Sequence, residues 1–261
     1  CSAFSLVVQA ATDGAHITKT ISQIERKKGI KRTIQYRPDG NDFVCVNGKN
    51  RYTRALYGGI TDFRIETSDR PVFATYKPKD SKHICFRLQC GNQSIALDSL
   101  KFCEARYRAG RRTYRLTDPL LGKGELNISV LAFPDAEGGI WRFTMKDMPE
   151  GALLHCYISE IRAKNLSRNG DMGADRADSF DAPQLPKEQK HYKLSLDGTT
   201  AYIVVEDQEL RLPALVEGTS LYDKSEKWRS EIESSLQIST PDPYFNPLGG
   251  CLLYTSDAAD E

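Results

Sequence analysis

The sequence lacks several features that would assign it to a functional class. Beyond residue 10 it has no apolar run long enough to cross a membrane. Neither charge is in excess, with 36 lysines and arginines against 35 aspartates and glutamates, so there is no general attraction to nucleic acid or anionic lipid. A P-loop, a nucleophile elbow and a dinucleotide-binding fingerprint are also missing. These absences argue against a membrane span, a nucleic-acid partner and a nucleotide cofactor.

Cysteine and histidine occur without the spacing of a metal site. No CxxC or paired Cys/His spacing suggests zinc, and the four histidines are scattered. Outside the two terminal segments that contain Cys1 and Cys251, the cysteines are Cys45, Cys85, Cys90, Cys103 and Cys156. An odd number cannot close a complete disulfide framework, so we expect buried free thiols or one adventitious bridge. No metal and no cofactor is predicted.

Short segments rich in β-branched and aromatic residues alternate with turn residues about every eight to twelve positions. This regular spacing of turn residues predicts a mainly all-β chain that folds as a large antiparallel sandwich or barrel. Within it, DFVCV followed by Asn47-Gly48 and RYTRALY predicts a hairpin. DFRIET alternates Phe63 and Ile65 with Arg64 and Glu66, which predicts a half-buried strand.

The densest charge cluster is RYRAGRRTYR. Its residues alternate as in two strands on either side of a turn, which predicts a hairpin. Its arginines are Arg106, Arg108, Arg111, Arg112 and Arg115. Alternation places Arg106 and Arg108 on one face, opposite Ala105 and Tyr107. Basic residues interleaved with tyrosine are typical of a polyanion-binding or RNA-binding sheet. The balanced total charge favours the other interpretation, a solvated face paired with acids.

Two segments supply candidate contacts to a substrate. NGKNRYTRALYGG contains Arg51, Tyr52, Arg54 and Tyr57, and arginines beside aromatic rings suit sugars because rings stack on pyranoses while guanidinium groups donate to hydroxyls or uronate carboxylates. The same residues could form one face of a strand. A long polar loop over residues 164–190 contains Asp171 and Asp175, whose spacing fits no calcium loop, so a solvated loop is its default interpretation.

The two ends of the chain differ from its middle. Residues 1–10 combine an apolar stretch with the small-x-small triplet Val8-Gln9-Ala10, which predicts the remnant of a signal peptide and a periplasmic or secreted protein. The alternative is a buried first strand, SLVVQ. Near the other end, Trp228, Ile232 and Leu236 lie four apart and predict a helix over 223–235, which the prolines of TPDPYFNPLGG cannot continue.

Several strings taken together carry a resemblance: YRPDGNDFVCVNGKNRYTRALYGG, TDFRIETSDRPVFATY, DPLLGKGELNISVL, NLSRNGDMGADRADSFD and TPDPYFNPLGG. From about residue 30 to residue 250 the chain resembles the N-terminal part of large exported proteins from carbohydrate-degrading bacteria, a family of unknown function. The resemblance implies a supersandwich that precedes an (α/α)6 barrel in glycoside hydrolase-like proteins acting on polysaccharide. It also implies that the barrel, absent from this chain, carries the catalytic carboxylates.

On this resemblance the chain is a non-catalytic fragment that supports the barrel, with the segments around Arg54 and Asp171 bordering the cleft. No catalytic residue is transferred, since the family has no assigned function. The final residues, CLLYTSDAADE, resemble a translated transposon-end sequencing adapter. The expected organisation is therefore a signal remnant (1–10), a sandwich (11–222), a helix and linker (223–250) and an adapter artefact (251–261).

Two functions from other classes remain open. A stand-alone carbohydrate-binding module would bind oligosaccharide by stacking and hydrogen bonding, through Arg51, Tyr52, Arg54, Tyr57 and Trp141. A polyanion-binding domain would use the arginine hairpin, and its affinity would depend on salt.

Overall fold

A computed structural model describes residues 6–9, 36–49, 52–60, 62–77, 81–160 and 191–251, with the backbone alone at 6–9, 52, 53 and 160. Its strands, in chain order, are β1 (Leu6–Gln9), β2 (Arg37–Asp39), β3 (Asp42–Val46), β4 (Tyr52–Tyr57), β5 (Arg64–Ser68), β6 (Phe73–Tyr76), β7 (Lys82–Cys90), β8 (Gln93–Ala96), β9 (Phe102–Arg108), β10 (Arg111–Thr117), β11 (Glu125–Ala132), β12 (Gly138–Lys146), β13 (Leu153–Glu160), β14 (His191–Ser195), β15 (Thr200–Glu206), β16 (Glu209–Arg211) and β17 (Leu236–Ser239). Among the described residues one α-helix, α1, spans Leu215–Ser234, and short 3₁₀ helices span Leu97–Ser99 and Pro119–Leu121.

Two antiparallel sheets form the body of the protein. The first sheet has eight strands in the order β16-β15-β12-β11-β10-β9-β3-β2. The second has the order β14-β13-β7-β6-β5-β4, with β8 paired to β7. A separate two-stranded ribbon pairs β1 with β17 in parallel. The predicted all-β sandwich with one C-terminal helix is confirmed.

The core lies between the two sheets and is built around Phe73. Its ring makes edge-to-face contacts with Phe86 of its own sheet and with Tyr114 and Trp141 of the first sheet, each with ring centroids 5.6 Å apart. All four side chains are at most 4% exposed. Edge-to-face packing adds specific attraction to the burial of large apolar surfaces, so this aromatic cluster joins the sheets at their centre.

Strand alternation in β9 and β10 follows the prediction. Ala105 and Tyr107 are buried in the core, whereas Arg106 and Arg108 lie on the opposite, partly exposed face. Register pairs Arg108 with Arg111 across the turn, so the predicted hairpin is confirmed. The cysteines of the described segments carry free thiols, as one of the two alternatives predicted: Cys45, Cys85, Cys90, Cys103, Cys156 and Cys251.

The hairpin predicted at Asn47-Gly48 is wrong. Strand β3 pairs with β2 and β9 in the first sheet, whereas β4 pairs with β5 in the second. Asn47, in the left-handed region at φ 49°, is bound instead to Cys103: its N–H donates to the Cys103 carbonyl (2.8 Å), and its Oδ1 accepts from the Cys103 N–H (2.9 Å). A Cβ at Gly48 would lie 2.4 Å from Cγ of Asp69. The segment therefore crosses closely between the sheets.

Strand β5 is buried on both faces, contrary to the predicted half-buried strand. Arg64 is 5% exposed and Glu66 is fully buried, and the two side chains form an ion pair. The Arg64 guanidinium also lies over the Tyr76 ring, 3.8 Å from its centroid. Pairing and stacking offset much of the cost of desolvating two charges, which lets charged residues occupy a buried face.

The helix starts eight residues before the predicted 223–235, at Leu215, and ends at Ser234. Its first turn exposes Leu215 and Val216, so no amphipathic pattern marks this start. As the spacing predicted, Trp228 and Ile232 pack inward, here against Ala55 and Tyr57 of β4. Leu236 lies instead in β17. No helix among the described residues is long and apolar enough to cross a membrane.

Gly218 gives a test of how α1 packs on the first sheet. Alanine is normally better than glycine in a helix by about 1 kcal/mol. Here a Cβ would lie 2.4 Å from Cδ2 and 2.8 Å from Cβ of Tyr202. We therefore expect Gly218→Ala to lower the free energy of unfolding by about 1–2 kcal/mol, measured by urea denaturation. Val216→Ala, at a position 83% exposed, is the control and should cause no loss. A more stable Gly218→Ala protein would contradict this packing.

Candidate functional site

Two rows of polar side chains cross the outer face of the first sheet. They point away from the core because they alternate with buried residues along β9 to β12. The strand register aligns one row as Arg106, Thr113, Ser129 and Arg142 and the neighbouring row as Glu104, Arg115, Asn127 and Thr144. With Tyr222 of α1 these rows line a groove of about 380 Å³, hereafter the sheet groove.

Acidic side chains hold two of the arginines in the sheet groove. Arg106 forms ion pairs with Glu104 (2.8 Å), Asp39 (2.8 Å) and Asp42 (3.3 Å). Arg115 lies 3.4 Å from Glu104 and 3.5 Å from Glu125. The hydrogen bond from Arg106 to Glu104 is the main reason that the pKa of this carboxyl is lowered. Glu104 therefore stays ionised, and the two arginines stay engaged, at neutral pH.

Arg142 is held differently. Its guanidinium carbon lies 3.9 Å from the centroid of the Tyr222 ring. Its Nε is buried without a hydrogen-bond partner among the described residues. The hydroxyl of Tyr222 is fixed in turn by Ser129, whose Oγ lies 2.7 Å away, and burial raises the pKa of Tyr222. When a guanidinium stacks on a neutral phenol, its plane lies parallel to the ring. Its N–H groups lie in this plane and point outward, away from the ring face.

A second groove, of about 650 Å³, lies between the C-terminal half of α1 and β17, hereafter the helix groove. Ion pairs cross it from Arg108 to Glu233 (2.6 Å) and from Arg111 to Glu226 (2.9 Å). Arg229, only 3% exposed, bonds both glutamates at 2.7 Å. Burial opposes ionisation of Glu233, but hydrogen bonds from Arg108 and Arg229 outweigh it and lower the pKa of this carboxyl. This network fastens the helix to the β9–β10 turn.

The arginines of the RYRAGRRTYR hairpin are thus engaged inside the protein. Arg106, Arg108, Arg111 and Arg115 form ion pairs. Arg112 is fully buried and donates to the Ser68 carbonyl at 2.7 Å and to the Tyr114 hydroxyl at 3.3 Å. This arrangement fits the interpretation of a face paired with acids.

Of the residues proposed from the sequence to contact sugar, those whose side chains the structure describes, Arg54, Tyr57 and Trp141, do not come together on one surface. Trp141 is fully buried in the central aromatic cluster, and Tyr57 is 7% exposed beneath Trp228 and Ile232. Both must be corrected from stacking platforms to packing residues, because no ring face is open to a ligand. Arg54 is exposed on an edge strand of the second sheet, its guanidinium carbon 5.4 Å from the Tyr107 ring.

The other proposed contacts lie outside the described residues. These are Arg51, Asp171 and Asp175, together with the side chain of Tyr52, whose backbone belongs to β4. The groove residues Thr113, Asn127, Arg142, Thr144 and Tyr222 had no signal in the sequence beyond strand alternation, because strand register brings four of them together and a distant helix supplies the fifth.

Three buried polar side chains and Ala74 share one row across the second sheet. Register aligns Glu66, Ala74, His83 and Ser159. Nδ1 of His83 lies 2.9 Å from the Cys85 sulfur. Burial lowers the pKa of His83 to about 4 and raises the pKa of Cys85 to about 12, so this is a neutral imidazole beside a protonated thiol. Such a pair lacks the thiolate that a cysteine nucleophile requires.

The described segments contain no group of three histidine, cysteine, aspartate or glutamate side chains placed to hold a metal ion. A family described as "Domain of unknown function (DUF4450)" matches residues 78–206. The matched region runs from β7 to β15 and includes the strands beneath the sheet groove, whereas α1 lies beyond it. No curated protein matches the chain.

Proposed function

We propose that this chain is the non-catalytic β-sandwich part of a glycoside hydrolase-like protein acting on polysaccharide, and that it contacts the sugar through the sheet groove. The resemblance of the sequence to the N-terminal part of large exported proteins supports the proposal that this chain belongs to a longer parent protein. The observation that carries the sugar contact is the pair of aligned polar rows, in which threonine hydroxyls, an amide and guanidinium groups face one groove. Convergent donors and acceptors of this kind suit the many hydroxyls of a sugar.

Support for a non-catalytic role comes from the carboxyl groups of the two grooves. Hydrolysis of a glycosidic bond uses one carboxyl as general acid, with a raised pKa, opposite a second carboxylate. Glu104 and Glu233 have lowered pKa values, because arginines bind their ionised forms. Acids held in this way stabilise structure and orient neighbours, so the proposal assigns catalysis to another part of the parent protein.

A stand-alone carbohydrate-binding module is the second candidate function. The observation in its favour is that two aligned rows of polar side chains and Tyr222 already form a groove on the sandwich and its helix. The two proposals differ in what the isolated chain binds and in what the gene encodes next. In the parent-protein proposal, the source gene read beyond codon 250 encodes a long helical region. An early stop codon, combined with saturable binding by this chain alone, would favour the module.

We also propose, from the sequence, that the protein is periplasmic or secreted and that residues 251–261 derive from adapter DNA. Reading the source gene across both ends tests both statements. A hydrophobic leader with a positively charged start is expected upstream, and an unrelated codon series is expected after codon 250. Genomic DNA that encodes CLLYTSDAADE at this place would contradict the adapter origin.

Binding itself can be measured by calorimetric titration of the full chain with neutral and acidic oligosaccharides. We expect saturable binding that the double variant Thr113→Val/Thr144→Val weakens by about tenfold, since each lost hydrogen bond is worth about 0.5–1.5 kcal/mol. Valine preserves the shape and removes only the hydroxyl. Thr199→Val, at an exposed turn outside the groove, is the matched control. Equal affinities for the double variant and the control protein would count against the sheet groove as the sugar site.

A further inference from the structure

We infer that the sugar recognised in the sheet groove carries an oxyanion, a carboxylate or a sulfate ester, and that Arg142 receives it. This inference rests on the proposed function and narrows its ligand class. It starts from the contrast among the arginines of the two polar rows. Arg106 and Arg115 each lie within 4 Å of at least two carboxylates, whereas Arg142 makes no ion pair with any described residue.

The side chain of Arg142 also contains a hydrogen-bond donor left unsatisfied by the described residues. Its Nε–H is buried and has no hydrogen-bond partner in the part of the chain that the structure describes. A buried donor without a partner is costly, and a buried cationic donor more so. The Nε atom itself is enclosed, but Arg142 lines the sheet groove, and its two terminal nitrogens can donate together to one oxyanion there, a bidentate geometry that arginine favours.

The surroundings of Arg142 prepare it for such a ligand. Stacking on Tyr222 fixes the plane of the guanidinium, and the bond from Tyr222 to Ser129 fixes the phenol ring. Less side-chain freedom then remains to be lost on binding. A cation stacked on an aromatic ring keeps its charge, so the attraction to an anion is retained.

The neighbouring residues indicate a sugar that bears a single anionic group at this point. Thr144 follows Arg142 on the same outer face of β12, and Thr113 lies in the same row as Arg142. Their hydroxyls can bond ring hydroxyls, as uncharged groups do. Farther along the groove, ionised Glu104 would repel a second anion. A densely charged polyanion therefore fits less well than a uronate or a monosulfated sugar.

The test compares four probes by calorimetry on the full chain: galactotriose, its mono-6-O-sulfated form, a trisaccharide with one galacturonate and two galactose units, and the methyl ester of that monouronate trisaccharide. We expect the monouronate or the sulfated trisaccharide to bind at least about tenfold more tightly than its neutral counterpart, since a charge-assisted bidentate contact is worth at least this factor. Which acidic probe gains the most separates a carboxylate from a sulfate.

Arg142→Gln should abolish the preference for the acidic probe while neutral binding persists, and Arg142→Lys should retain part of the preference. Arg211→Gln is the control, because the Arg211 side chain pairs with Glu206 and Glu217 away from the groove. This variant should behave like the parent chain. Thermal unfolding of each variant verifies that it folds, and Arg142→Lys carries the test if Arg142→Gln does not.

Each outcome is decisive. Equal binding of acidic and neutral probes, or an unchanged preference in the folded Arg142 variants, overturns this inference and leaves the proposed sugar contact standing. If none of the four probes binds, the proposed function fails together with the inference. A preference that is lost in Arg142→Gln alone supports both.

Discussion

Phe73→Ala is expected to lower the free energy of unfolding by about 3–5 kcal/mol, a cost typical of removing a fully buried aromatic ring. Phe73 is completely buried and contacts Phe86, Tyr114 and Trp141 at the centre of the sandwich. Alanine would leave a cavity between the two sheets, and rigid neighbouring rings can fill it only in part. Urea denaturation followed by tryptophan fluorescence measures the loss, because Trp141 lies directly beside the cavity.

Phe245→Ala is the matched control for Phe73→Ala. The same ring is removed, but from a position that is 47% exposed. A change within about 0.5–1 kcal/mol is expected there. Similar losses in the two variants would mean that the central aromatic cluster does not hold the sheets together.

Lowering the pH from 7.5 to 4.5 is expected to destabilise the protein through His83. This side chain is 3% exposed, and burial lowers its pKa from 6.5 to about 4. In the unfolded chain the imidazole takes up a proton below pH 6.5, whereas in the folded protein it stays neutral. The contribution to stability is therefore complete above pH 6.5 and is lost as the pH falls towards 4. Because one pKa unit corresponds to about 1.4 kcal/mol, the fall of the His83 pKa from 6.5 to about 4 makes the full loss about 3.5 kcal/mol.

His83→Gln removes the titrating group, so its free energy of unfolding should depend much less on pH between 6.5 and 5. The carboxyl groups with lowered pKa values, Glu104 and Glu233, act in the same direction only at lower pH, since unfolded glutamates titrate near 4.3. His155→Gln is the control: His155 is only partly buried, and its variant should keep most of the slope. Parallel pH profiles for His83→Gln and the parent chain would show that His83 is not a buried neutral imidazole.

Local pattern was enough to predict which residues of β9 and β10 face the core, because side chains alternate with a period of two whatever the strand pairs with. The partner of a strand is a non-local choice. Asn47-Gly48 carried a strong hairpin signal, but Asn47 binds Cys103 and the chain passes to the other sheet. The helix was located from Trp228 and Ile232, while its first turn exposes Leu215 and Val216 and so gave no amphipathic signal for its start.

The candidate site was less predictable than the fold, for two physical reasons. Trp141 was predicted to stack on a sugar, yet β12 is covered on its inner face by the second sheet. Arg142, its neighbour in the sequence, points outward, and its importance depends on register with Ser129 and on a stacking contact with Tyr222. Neither the register nor the position of the helix can be read from spacing along the chain.

Binding of an acidic sugar in the sheet groove can be mapped residue by residue with NMR. Backbone amide and arginine side-chain N–H signals are followed while the monouronate trisaccharide and the sulfated galactotriose are titrated into the full chain. Saturable shifts are expected at Arg142 Nε and at the amides of Thr113, Ser129 and Thr144. Shifts confined to the second sheet, around Arg54, would contradict binding in the sheet groove, as would a spectrum that does not change.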